Sequence, residues 1–154
     1  MKIVAVTACT AGIAHTYIVA EKIQKAAAKR RHEETEKNAK PKKHEPASEL
    51  TADDLIDYYG IEADKVADCA AVQDACGYKD EIVIIKAVDD TSAKEIADLL
   101  NEHIEYQKES MKNYDPAQYE ILGSSEVITN GVYVAMFISA EQSTMAEIFN
   151  GSFK

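Results

Sequence analysis

The chain has 154 residues, three cysteines and a formal net charge of −10, enough length for a real core without disulfide staples. The odd cysteine count, with no metal or redox spacing between Cys69 and Cys76, favours a reducing compartment, and no apolar run approaches the roughly 20 residues of a membrane span. Residues 1–50 hold ten Lys/Arg against six Asp/Glu, residues 51–154 seven against twenty-one; that acidic second part argues against direct nucleic-acid binding and fits a basic protein partner or plain solubility.

Taken in order, Val4 to Ala8 predict a short buried strand, apolar and rich in β-branched residues. Cys9 stands where that strand ends, and Gly12 permits a tight turn or close approach to a ligand. Helix-favouring residues run from Ile13 to about Ala28. A strand, a short loop and a helix N-terminus make an anion cradle of free backbone N–H groups, which also favours the thiolate of a cysteine placed there. The candidate nucleophile is therefore Cys9. The candidate phosphate-binding loop is Thr10, Ala11, Gly12, Ile13, Ala14, His15 and Thr16, with His15 as a hydrogen-bond donor.

The spacing from Cys9 to His15-Thr16 parallels the Cys-x5-Arg-Ser/Thr loop of cysteine phosphatases, with histidine where the phosphate-clamping arginine would be. That substitution disfavours hydrolysis and favours a cysteine that accepts a phosphoryl group and passes it on. Residues 1 to about 29 resemble the start of the fructose-family IIB component of the bacterial sugar phosphotransferase system. Those proteins carry Cys-Pro-Thr-Gly-Ile-Ala-His-Thr after a similar strand. The resemblance implies that Cys9 takes phosphate from a phosphohistidine donor protein and gives it to a sugar held in a membrane permease, without a cofactor. Thr10 stands in place of the family's proline and Ala11 in place of its threonine, so a carrier of this kind would be degenerate or vestigial.

Val6-Thr7-Ala8-Cys9 also satisfies the cleavage box of a bacterial lipoprotein. The apolar run before it is shorter than a secretory core of roughly 7–15 residues. The expected location is therefore the cytoplasm, with a lipid anchor on Cys9 as the alternative. Residues 31–48 are charged, carry Pro41 and Pro46, and show no apolar periodicity, which predicts a linker.

The second part predicts an α+β domain over residues 51–154. Thr51 is expected to cap a short helix that Gly60 stops. Strands are expected over 66–73 and 81–88. Ser92 to Glu95 form a capping box ahead of a helix whose apolar stripe is Ile96, Leu99, Leu100, Ile104 and Met111. Asp115-Pro116 opens another helix, with Gly123 as its stop. Asn130-Gly131 predicts a type I′ hairpin between strands within 126–138. Ser139 is expected to cap a last helix that buries Met145, Ile148 and Phe149. Tyr106, Tyr114, Tyr119 and Tyr133 are expected to pack at the rim of the core.

The resulting order, α-β-β-α-β-β-α, is an antiparallel sheet of about four strands with packed helices, preceded by the β-loop-α unit and the charged linker. Residues 51–153 resemble a domain of unknown function found in bacterial lipoproteins. The similarity runs through Ile84-Ile85-Lys86-Ala87, Tyr106 to Ser110, Tyr114 to Glu120 and the hairpin after Gly131. It implies an architecture and no activity. No metal cluster is read anywhere in the chain. Three function classes follow: a phosphoryl carrier through Cys9, a non-enzymatic binding or scaffold protein, and an acidic protein that covers a basic surface of a partner, such as one that binds nucleic acid.

Overall fold

The computed structural model describes residues 48–73 and 80–153. The strand-loop-helix expected over 1–30 and all but the last residue of the linker lie outside them. Among the described residues the elements are β1 (Ser48–Leu50), α1 (Asp54–Tyr59), a 3-10 turn (Ala63–Lys65), β2 (Val66–Gln73), β3 (Glu81–Ala87), α2 (Asp90–Met111), α3 (Pro116–Ser124), β4 (Val127–Asn130), β5 (Tyr133–Ile138) and α4 (Gln142–Gly151).

The strands form one antiparallel sheet in the order β1-β2-β3-β5-β4. The described part is α+β, as expected, and its sheet has one strand more than the four expected after the linker. That strand, β1, is only three residues long, too short to carry a readable alternation. Pairing with β2 brings Leu50 opposite Ala71, and both are buried.

Strand alternation divides the core in two. Val83, Ile85 and Ala87 of β3 and Val134, Met136 and Ile138 of β5 point to the face covered by α1, α2 and α3. Ile84, Ala135 and Phe137 point to the other face, where Met145 and Phe149 of α4 meet them. β3 and β5 are central and covered on both sides, so their sequences read as continuous apolar runs. Helix α2 buries Ile96, Leu100, Ile104 and Met111 on its expected stripe, and Leu99 packs half-buried beside them.

Several helix ends differ from the sequence reading, each for a local reason. Asp54 begins α1 and receives the Thr51 N–H and hydroxyl at 2.8 and 2.7 Å, so Thr51 donates instead of capping. Gly60 does end α1, with φ 71°, a conformation that costs a residue with a Cβ more than glycine. Asp89 caps α2 by accepting from the Ser92 N–H at 2.7 Å, three residues ahead of the expected Ser92 cap. Helix α3 runs through Gly123 to Ser124, because Gly123 keeps φ below zero. Helix α4 starts at Gln142, and its cap position is Glu141 rather than Ser139.

The hairpin is also offset by one residue. Asn130 pairs with Tyr133, so the two-residue loop is Gly131-Val132. Only Gly131 has positive φ, at 55°, which excludes the type I′ turn that needs it at both central positions.

Asp115 caps α3 as expected, accepting from the Ala117 and Gln118 N–H groups at 3.1 Å, with Pro116 in the first turn. Asp115→Ala is expected to cost about 1 kcal/mol, read as a lower urea midpoint at unchanged slope. A midpoint equal to wild type would show that the cap contributes nothing.

Candidate functional site

The chemistry-bearing residues of the described domain meet where the start of β3 faces α1 and α2. Glu81 opens β3 and shares the alternation of Val83 and Ile85, which points it into the helical face of the core. It is 2 % exposed. Helix α2 places His103 and Gln107 four residues apart, hence on one side of the helix. Tyr59 arrives from the last turn of α1.

The Tyr59 hydroxyl donates to Glu81 Oε2 at 3.3 Å, and His103 Nε2 lies 2.9 Å from the same oxygen. The Gln107 side-chain N–H donates to Glu81 Oε1. Gln107 Nε2 is also 2.8 Å from His103 Nε2. The Tyr59 and His103 rings meet edge to face with centroids 4.7 Å apart. Burial, then the neighbouring carboxylate and its hydrogen bond, push the Tyr59 phenol well above its ordinary range. The His103 side chain is 18 % exposed, so the imidazole is the rim of an otherwise closed group.

This arrangement positions an imidazole against a carboxylate and holds it there from two helices. Both carboxylate oxygens accept from side chains of the protein itself. A buried carboxyl group in this condition is held in place by its donors, and removing Gln107 takes from Oε1 its side-chain donor.

The tyrosines chosen from the sequence divide into two kinds. Tyr119 and Tyr133 do pack at the core rim, Tyr133 with its ring 5.0 Å from that of Phe153. Tyr106 and Tyr114 are 76 and 84 % exposed, because they fall on the outer side of α2 and just beyond its end, away from the sheet. The residue that reaches the polar group is Tyr59, which the sequence reading passed over.

Cys69 is a free, half-buried thiol on β2. Burial, then Asp68 and Asp54, push it up to about 11. In a protein carrying Cys9→Ser and Cys76→Ser, iodoacetamide at pH 8 is expected to leave Cys69 intact in the folded state and to modify it in urea. Equal rates in both would contradict that burial.

A recess between the end of α3, β4 and the start of α4 is lined by Ser124, Phe137, Gln142 and Ala146 and has a volume of about 40 Å³. That is room for a few waters and far below the size of an ordinary ligand pocket. Among the described residues no three His, Cys, Asp or Glu side chains gather as a metal site, and no helix is long and apolar enough to cross a membrane.

Cys9 and the loop Thr10, Ala11, Gly12, Ile13, Ala14, His15 and Thr16 lie outside the described residues. Of the group that the fold does assemble, His103 borders the apolar stripe expected on α2, and the sequence reading singled out neither Glu81 nor Gln107 as its partner. The i, i+4 spacing of His103 and Gln107 is the one local signal available. Glu81 and Tyr59 join them only through the tertiary fold.

No curated protein and no solved structure matches the chain. A family model described as a domain of unknown function (DUF4358) matches residues 40–139. That range takes in β1 through β5 and the whole Tyr59-Glu81-His103-Gln107 group, and it leaves residues 1–39 uncovered. The match covers well over half of the chain, which therefore belongs to this family of domains of unknown function.

Proposed function

We propose that the domain over residues 48–153 is a non-enzymatic binding or scaffold module, acting in the cytoplasm through its surface. The observation that carries this reading is the state of Glu81. The domain's most deeply placed acid has both oxygens engaged by Tyr59, His103 and Gln107, and it is closed to any substrate. Chemistry-bearing side chains are thus used to join α1, α2 and β3, and the surface is what the domain offers. Residues 51–154 hold twenty-one Asp/Glu against seven Lys/Arg, which suits a basic protein surface as partner. Binding of that kind weakens steeply as salt rises.

A second reading rests on Cys9-Thr10-Ala11-Gly12-Ile13-Ala14-His15-Thr16 and its likeness to the IIB active-site loop. In it, Cys9 takes a phosphoryl group from a phosphohistidine protein and delivers it to a sugar in a membrane permease. A third use of the same cysteine is lipid attachment, which would place the domain outside the membrane.

One experiment separates these readings. The Cys9 thiol pKa is measured by pH-dependent alkylation in the full chain carrying Cys69→Ser and Cys76→Ser. A value near the roughly 8.5 of a free thiol, with no label transferred from a phosphohistidine donor, is the result expected for a binding module. A strongly depressed value with phosphoryl transfer to Cys9 would overturn the module in favour of the carrier. A Cys9 thioether on protein purified from a bacterial host would move the module to a lipid-anchored location.

A further inference from the structure

Counting protons in the Glu81 group reveals a conflict. An imidazole nitrogen carries either one proton or one lone pair in the ring plane. When His103 Nε2–H donates to Glu81 Oε2, the Gln107 amide nitrogen at 2.8 Å faces it as a second donor. When Nε2 instead accepts from Gln107, it has no proton for the carboxylate 2.9 Å away. The amide oxygen of Gln107 is meanwhile buried and has no hydrogen-bond partner among the described residues. The carboxylate form of the group therefore contains a donor–donor contact and an unmet acceptor.

We propose that Glu81, His103 and Gln107 form a proton-linked latch, in which Glu81 takes up one proton and the Gln107 side-chain amide turns over to receive it. The proton comes from solvent and binds at Glu81 Oε1. The amide makes a half-turn, which exchanges its oxygen and nitrogen at the same two positions. Glu81 Oε1–H then donates to the Gln107 oxygen. His103 Nε2–H shares its proton between that oxygen and Glu81 Oε2, and Tyr59 continues to donate to Oε2. Each of the four contacts becomes a donor facing an acceptor, and the one covalent bond made is the O–H bond at Glu81 Oε1, its proton given up by a hydronium ion of the solvent.

The titratable groups that face Glu81 among the described residues are Tyr59 from α1 and His103 from α2. Its cross-strand neighbours, Gln73 on β2 and Ile138 on β5, do not titrate. His103 is the member of the group that reaches solvent, and it gives the proton its way in. The latch keeps α1 and α2 joined to the start of β3 in both charge states. With the Gln107 amide fixed, protonation at Oε1 would set the new O–H against the Gln107 N–H.

The test is a pH titration of the full chain by NMR, following the Glu81 side-chain carboxyl ¹³C and the Gln107 side-chain ¹⁵N–¹H signals together. The expected result is that both move with one midpoint. In Glu81→Gln, the new amide N–H takes the place of the acid proton. There the Gln107 signals are expected to sit at the wild-type low-pH positions at every pH. Gln107 signals that stay fixed while the Glu81 carbon titrates would overturn the latch. So would a Glu81 carbon that does not titrate within the folded range, or Gln107 signals in Glu81→Gln that still move with pH. The wild-type titration decides the matter alone if Glu81→Gln does not fold.

Discussion

Glu81→Ala is expected to destabilise the domain by about 3 kcal/mol. The substitution removes two acceptor oxygens at once. It strands the Tyr59 hydroxyl in the core, takes the carboxylate acceptor from the buried Gln107 amide, and leaves His103 Nε2 with only that amide as a partner. Truncation also opens a small cavity between β3 and α2. Urea denaturation should show a lower midpoint at unchanged slope, and thermal unfolding a Tm lower by more than about 10 °C. Glu81→Gln keeps one acceptor and adds a donor, so it should lose much less. If the two variants unfold alike, the contacts to Glu81 do not hold α1 and α2 to the sheet.

Phe149→Ala is expected to cost about 3–5 kcal/mol. Phe149 is fully buried on α4 and meets Phe137 and Phe153 edge to face, with centroids 6.2 and 5.0 Å apart. Among the described residues α4 is the helix that covers this side of the sheet, so no second helix can settle into the gap. The cost should appear in the urea midpoint, with dye binding to newly exposed apolar surface well below the main transition. Ile148→Ala, at a half-buried position on the same helix, should cost clearly less. Similar losses at the two positions would mean that α4 packs as a loose cover with no fixed registry.

The two sites differ in how far their residues announce themselves. Phe149 follows Met145 by one helical turn in a run that begins near a serine and ends near a glycine, so its burial is readable from spacing alone. Glu81 sits at the head of Glu81-Ile82-Val83-Ile84-Ile85, and a charged residue there reads as the solvated end of a strand. Its burial depends on which face of β3 it shares and on what that face meets. Alternation supplies the first, since Glu81, Val83 and Ile85 point the same way. The second requires His103, twenty-two residues away, and Tyr59, twenty-two residues in the other direction.

Short-range chemistry behaves the same way at the helix ends. Asp115-Pro116 and Gly60 act as their residue types predict, because each needs only its own backbone and two or three neighbours. Asp89 and Ser92 both suit the cap of α2. The choice of Asp89 follows from where β3 ends, and that choice buries Ser92 inside the first turn. In the hairpin, Asn130-Gly131 carries a strong local signal, yet the register of β4 on β5 moves the loop to Gly131-Val132.

The sequence by itself determined the α+β class, the two central strands, the apolar stripe of α2, the capped start of α3 and the acidic character of the second part. These depend on periodicity, on the φ preferences of proline and glycine, and on charge, all of which act within a few residues. Tertiary structure alone decided that β1 joins the sheet, that Tyr106 and Tyr114 face solvent, and that Tyr59, Glu81, His103 and Gln107 form one hydrogen-bonded group. The reason is physical: a three-residue strand is stable only against a partner, and a buried carboxylate only where distant donors converge on it.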